Sequence, residues 1–287
     1  MRANAWQRAH MVQRIRTMRQ WAPKVRRRKP PRQIHPSHIA LTYFKNIRGY
    51  LDGARGALER SIFPQVPGWI ADAKAQRGDD VRLDRGADVN REIDKIAKRY
   101  MDDLSVNELE RLAETTAGQL SDFQRQQLKR QITAIVGVDV LSHEPNLQPI
   151  VDAFTAENVA LIKSIPQQYF GDIEKRITAG VRSGTRWEDL AQELQDRYDV
   201  SESRAALIAR DQVGKFYGEL NEVRQTALGV KSFIWRTAND ERVREEHADL
   251  EGETFDWDTP PSEGIPGEAV NCRCFAEPVL DDLLSES

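Results

Sequence analysis

The chain has very little cysteine. Two thiols in 287 residues, Cys272 and Cys274, cannot form a disulfide framework, and a bridge between positions i and i+2 is disfavoured by the geometry of the bond. No apolar run approaches the length of a membrane span. The N-terminus has no apolar secretory core and is Arg-rich instead. Together these point to synthesis in the cytoplasm with both thiols reduced. There is no His-Glu-x-x-His, no phosphate-binding loop, no Gly-x-Ser-x-Gly and no dinucleotide fingerprint, so the common signatures of hydrolases and nucleotide enzymes are missing.

Acidic residues are absent from the start of the chain. Residues 1–48 hold thirteen Lys and Arg and no Asp or Glu, the first acid being Asp52. With a net charge of -3 overall, the remainder carries about sixteen excess negative charges. Two segments so different in charge are expected to meet different partners. Arg14, Arg16 and Arg19 lie in a stretch from Asn4 to Trp21 that lacks helix breakers, with Trp6, Met11, Ile15 and Met18 on one face. Lys24, Arg26, Arg27, Arg28, Lys29 and Arg32 follow as a denser patch interrupted by prolines, expected to be extended. Such a stretch attracts phosphates without reading sequence. A helix docked on an acidic protein surface, a basic amphipathic helix lying on a membrane and a solvated tail are the other readings.

What is abundant is helix-forming sequence. Charged residues make up 30% of the chain, hydrophobic residues 39%, and mean hydropathy is -0.63. The fold class expected is mainly α, an elongated helical body with a small C-terminal α+β module. Helices are predicted over His38–Phe63, Val89–Leu104, Val106–Gly118, Asp122–Gly137 and Ile150–Ile165, with another begun by Pro166 and broken at Gly180–Gly184. Thr185 is read as capping Trp187–Tyr198, and Ser201 as capping a helix to about Leu228, ended by Gly229. Ser105 with Glu108 has the capping-box pattern, and Ser121 is another plausible cap. A loop is placed at 76–88. Strands are predicted only at Lys231–Arg236 and Val270–Ala276. The segmentation expected is a basic arm at 1–35, a helical domain at 36–145, a second helical part at 146–230 and the small module at 231–287, with Leu141–Pro149 the main boundary.

The last fifth of the chain concentrates potential ligands. Cys272 and Cys274 alternate with Arg273, so in an extended segment both sulfurs face one point. His247 lies in a predicted helix, Arg242 to Leu250, ended by Gly252. One imidazole and two thiolates suit zinc in a structural role, with Asp240, Asp249, Glu251 or water as the fourth ligand. Against this, Cys-x-Cys is tighter than the usual knuckle spacing, and free cysteine commonly packs in cores. Arg242, Arg244 and Arg273 can fork onto acids of the same module or lie solvated. Trp235 and Trp257 are expected in its core.

Taken in order, Asn158–Ile165, Gly180–Gly184, Trp187-Glu-Asp-Leu190, Ala209-Arg210, Gly229-Val230, Trp235, Asp240, Arg244, His247, Gly252, Pro266-Gly267 and Asn271-Cys-Arg-Cys274 resemble the phage Mu F-like head morphogenesis family, also known as SPP1 gp7-like minor head proteins. The resemblance covers roughly residues 150–280. It departs at Ala209-Arg-Asp-Gln212, where the family more often carries Thr-Glu after the arginine. It implies a minor capsid protein of a tailed bacteriophage, made in the host cytoplasm and built into the virion at the capsid interior or portal vertex. The implied partners are the portal protein, major capsid or scaffold proteins and packaged DNA bound without sequence preference, with membrane contact only if the protein leaves with the genome. No enzymatic activity is expected. The alternative class is a metal-dependent hydrolase or nuclease delivered with the virion, using His247, Cys272 and Cys274 with Glu246 as base.

Overall fold

The structure is a computed structural model, and it describes residues 5–21, 30–75, 84–137 and 145–280. It is mainly α with one small antiparallel sheet. In chain order the elements are α1 (Ala5–Trp21), α2 (Ser37–Ser61), a 3-10 turn (Phe63–Gln65), α3 (Val66–Ala75), α4 (Asp84–Asp103), α5 (Val106–Val136), α6 (Gln148–Ser183), α7 (Trp187–Ala227), β1 (Ser232–Arg236), α8 (Glu245–Ala248), β2 (Thr254–Asp256) and β3 (Phe275–Pro278). No described helix is long and apolar enough to cross a membrane.

The helices are longer than their local signals predict. The breaks placed at Gly118–Ser121, at Pro166 and at Tyr198–Ser201 all fall inside single helices, α5, α6 and α7. Pro166 removes one backbone donor, a cost of about 3 kcal/mol. The apolar stripe of α6 runs straight through it: Ile162, Ile165, Tyr169, Phe170, Ile173, Ile177 and Val181 are all buried. Seven such side chains at about 1.5–3 kcal/mol each outweigh one lost bond. The real stops are glycines at positive φ. Gly184 (φ 71) ends α6, with Thr185 N–H donating to Gly180 O at 2.9 Å, and Gly229 (φ 83) ends α7, with Val230 N–H donating to Gln225 O at 3.0 Å. The capping expected of Ser105 is present, its Oγ accepting the Glu108 N–H at 3.3 Å.

Two compact units emerge, and neither is a continuous stretch of chain. The first comprises residues 1–40, 114–155 and 210–287; the second comprises 41–113 and 156–209. The divisions fall within α2, α5, α6 and α7, which differs from the linear segmentation at 35, 145 and 230. Residues 141–144 of the expected boundary at Leu141–Pro149, and most of the expected loop at 76–88, lie outside the described residues.

In the second unit, α2 buries Ile47, Leu51 and Leu58, and its Tyr43 hydroxyl donates to the buried Asn158 Oδ1 at 2.7 Å. Arg48 pairs with Glu202 at 2.9 Å, and the Arg55 guanidinium lies 4.6 Å from the centroid of the Tyr198 ring. In the first unit, Ile15 of α1 is buried in a cluster with Leu128, Ile132, Val136, Leu228, Val230 and Leu280, with Met11 and Val12 packed beside it. Of the face expected to carry Trp6, Met11, Ile15 and Met18, Met11 and Ile15 are packed within this unit.

Gln33 and Ile34, just ahead of α2, are held by amides. Gln127 of α5 accepts the Ile34 N–H at 2.7 Å and donates to Ile34 O at 3.0 Å, while buried Gln33 donates to Tyr217 Oη at 2.7 Å and Asn221 Oδ1 at 2.9 Å. Arg224 is buried on Ser121 and Gln124 at 2.7–2.8 Å. This hydrogen-bonded layer of Gln, Asn and Arg inside a helical unit had no sequence signal, because amide residues in a helix normally read as its wet face.

Candidate thiol–imidazole site

The sheet that carries the site has the order β2-β1-β3, with β1 pairing antiparallel to both neighbours. Alternation along β1 puts Phe233 and Trp235 inside, and they build a core with Trp257, Cys272, Cys274 and Ala276. The predicted strand Val270–Ala276 is displaced: the extended pairing runs over Phe275–Pro278, and both cysteines precede it in a loop. The predicted helix Arg242–Leu250 is the single turn Glu245–Ala248. The short strand β2 was not foreseen. Gly252 (φ 85) makes the reversal into it, its N–H donating to Trp235 O at 2.9 Å.

Three side chains converge. His247 Nδ1 lies 3.5 Å from Cys272 Sγ and 3.5 Å from Cys274 Sγ, and all three residues are buried. The imidazole meets the Trp235 ring edge-on at 5.3 Å. The Cys274 N–H donates to Cys272 Sγ at 3.3 Å. A hydrogen bond from the Cys274 thiol pulls the Cys272 thiol down to about 5 against its burial, with help from the backbone N–H groups of Cys274 and Gly267 and from His247. The same interaction and burial push Cys274 up.

Ion pairs brace this cluster. Asp240 accepts both guanidinium nitrogens of Arg273, at 2.6 and 2.5 Å, and the Arg242 N–H at 3.0 Å. The Arg273 bonds hold the Asp240 carboxyl below the usual carboxylate range. Arg244 donates to Val270 O at 2.8 Å. Glu251 accepts the Thr237 N–H at 2.5 Å and pairs with Arg236 at 3.4 Å. Asp240 and Glu251, foreseen as fourth ligands, are thus engaged elsewhere, and exposed Asp249 is outside the convergent group. Arg242 is exposed.

Helix α7 forms the floor. Asn271, at φ 58, donates its N–H to Asp211 Oδ1 at 2.9 Å and accepts from Arg210 Nε at 3.1 Å. The departure from the family pattern after the arginine therefore places an aspartate where it holds Asn271. A Cβ on Gly214 would lie 2.8 Å from Cys272 O, and one on Gly218 would lie 2.6 Å from Pro266 O. These two glycines let the loop before the cysteines lie directly on the helix. Sequence reasoning passed over them, although two glycines four apart inside a helical pattern are themselves a signal of close approach.

Lys24, Arg26, Arg27, Arg28 and Lys29, and the side chain of Arg19, fall outside the described residues; Arg14 and Arg16 are half-buried on α1, and Arg32 is exposed.

Fold and site together define a helical protein whose helix α7 carries a small sheet stabilised around a buried thiol–imidazole cluster. Residues 171–277, from α6 through β3, match the family model described as Phage Mu protein F like protein, so this segment is similar to that family. An uncharacterized protein of Haemophilus influenzae is 39% identical over 150 residues, 51% of this chain and 34% of that protein. A protein of Enterococcus faecalis named NAD(+)--arginine ADP-ribosyltransferase EFV is 24% identical over 131 residues, 40% of this chain and 27% of that protein. The matches thus span about a third or less of these relatives. No solved structure matches.

Proposed function

We propose that the chain is a minor head protein of a tailed phage, resident in the virion, which binds the portal and the head shell or its scaffold during assembly. The observation that carries this reading is the Mu F-like match over residues 171–277, together with a module built as a rigid fitting: Asp240–Arg273, Arg236–Glu277 and Asn271–Asp211 fix it to itself and to α7. Its role is architectural, not catalytic. The activity in the name of the Enterococcus faecalis relative stays with that protein, of which the matching segment is 27%.

The basic stretch from Lys24 to Arg32 contacts packaged DNA through its phosphates. The packing of Ile15 and Met11 supports assigning α1 to the body of the protein and leaving DNA contact to the segment that follows it. The test is co-purification with the portal protein of the same phage. Retention of the chain on immobilised portal, lost on deleting residues 231–280, supports the proposal. Absence of any association with portal or procapsid contradicts it.

A further inference from the structure

We propose that His247, Cys272 and Cys274 bind one Zn2+ ion, through Nδ1 and two thiolate sulfurs, with a fourth position open to solvent. The geometry supports this quantitatively. Zinc–sulfur bonds of about 2.3 Å and zinc–nitrogen bonds of about 2.0–2.1 Å at a tetrahedral angle place S and N about 3.6 Å apart and the two sulfurs about 3.8 Å apart. Both observed N···S separations are 3.5 Å, and the three ligand atoms all lie within 4.8 Å of one another. Packing alone gives no reason for an imidazole nitrogen to sit equidistant from two sulfurs at the chord of a tetrahedron.

Two further observations favour thiolates. Cys272 Sγ accepts the backbone N–H of Cys274, an N–H···S bond that strengthens when the sulfur is anionic. The indole N–H of Trp235, whose ring meets His247 edge-on in the same core, is buried without a hydrogen-bond partner. A buried unpaired donor is costly, and a thiolate in that core eases the cost more than a neutral thiol does.

The fourth position is defined by what surrounds the cluster. A cavity of about 60 Å3 opens there, lined by the three ligands with Arg242, Val243, Arg244, Asn271 and Arg273. It offers arginines and an amide but no carboxylate, and it has room for water. Water or a small anion therefore completes the coordination. Binding takes both sulfurs as thiolates, whose two negative charges balance those of the metal in a buried setting. It also ties α8 to the loop entering β3, joining segments that a four-residue helix cannot hold by itself.

The test uses the reduced, full-length chain, stripped with a chelator and titrated with Zn2+ or Co2+. The expected result is one ion per chain. The Co2+ form should show near-ultraviolet thiolate charge-transfer absorption and visible bands that shift with excess azide. Zn2+ should protect both cysteines from iodoacetamide. His247→Gln should weaken Zn2+ at least about tenfold, since even outer-shell changes cost that much, and Cys274→Ser at saturating Co2+ should roughly halve the charge-transfer band. Absence of saturable one-to-one binding, or cysteines alkylated equally fast with and without Zn2+, overturns the site without needing any variant to fold. Visible bands unchanged by azide overturn the open position. The head-assembly reading stands or falls separately, on portal binding.

Discussion

Glycine to alanine inside a helix ordinarily stabilises a protein, by about 1 kcal/mol. Gly218→Ala in α7 should do the reverse. The added Cβ would lie 2.6 Å from Pro266 O and 3.6 Å from Gly267 Cα. Both contacts are backbone, so no rotamer change relieves them, and the loop must back away from the helix. Overpacking of this kind costs about 1–3 kcal/mol; at 2.6 Å from backbone the upper half applies, leaving a net loss of about 1–2 kcal/mol. Gly118→Ala in α5 of the same unit is the internal control, since nothing lies within 4 Å of its Cβ. It should gain about 1 kcal/mol. Urea unfolding of the two variants against the parent, monitored by tryptophan fluorescence, should move the midpoints in opposite directions. If Gly218→Ala stabilises as much as Gly118→Ala, the loop before Cys272 does not rest on α7 and the site has no fixed floor.

Burial, then the charge of Arg273, lowers His35 from its ordinary value to about 4. Below pH 6.5 the unfolded chain takes up a proton that the folded chain refuses until about pH 4, so stability falls through that window, by on the order of 3 kcal/mol in all. His35→Gln should flatten that slope in pH-dependent melting, and an unaltered slope would refute it. Tyr43→Phe removes the donor to buried Asn158 and should cost about 1–2 kcal/mol by denaturant midpoint; a neutral result would mean that this bond adds nothing. Changing Lys24, Arg26, Arg27, Arg28 and Lys29 to Gln, which leaves α1 in place, should make the log–log salt slope of DNA binding shallower by up to about 4. An unchanged slope would place DNA contact elsewhere.

The helical class was legible because apolar spacing survives any error in helix ends. The breaks at Pro166 and Ser201 were misread because proline, serine and glycine were weighed as local signals, whereas buried stripes such as Ile162 to Val181 decide helix length. Cys272, Cys274 and His247 stood out through rarity, and the structure brings them together. The roles of Asp211, Gly214 and Gly218 were hidden, since each is defined by a loop some fifty or more residues away. The amide grip on Ile34 was hidden for the same reason: its partner Gln127 is distant in sequence and polar in type.

Whether this chain belongs to the phage head is decided by procapsids purified from cells expressing the phage's head genes, with and without it, through quantitative mass spectrometry and electron microscopy. A few copies per particle are expected, and malformed or DNA-poor heads when the chain is omitted. Particles that never incorporate the chain, and that assemble and fill normally without it, would rule out a role in the head.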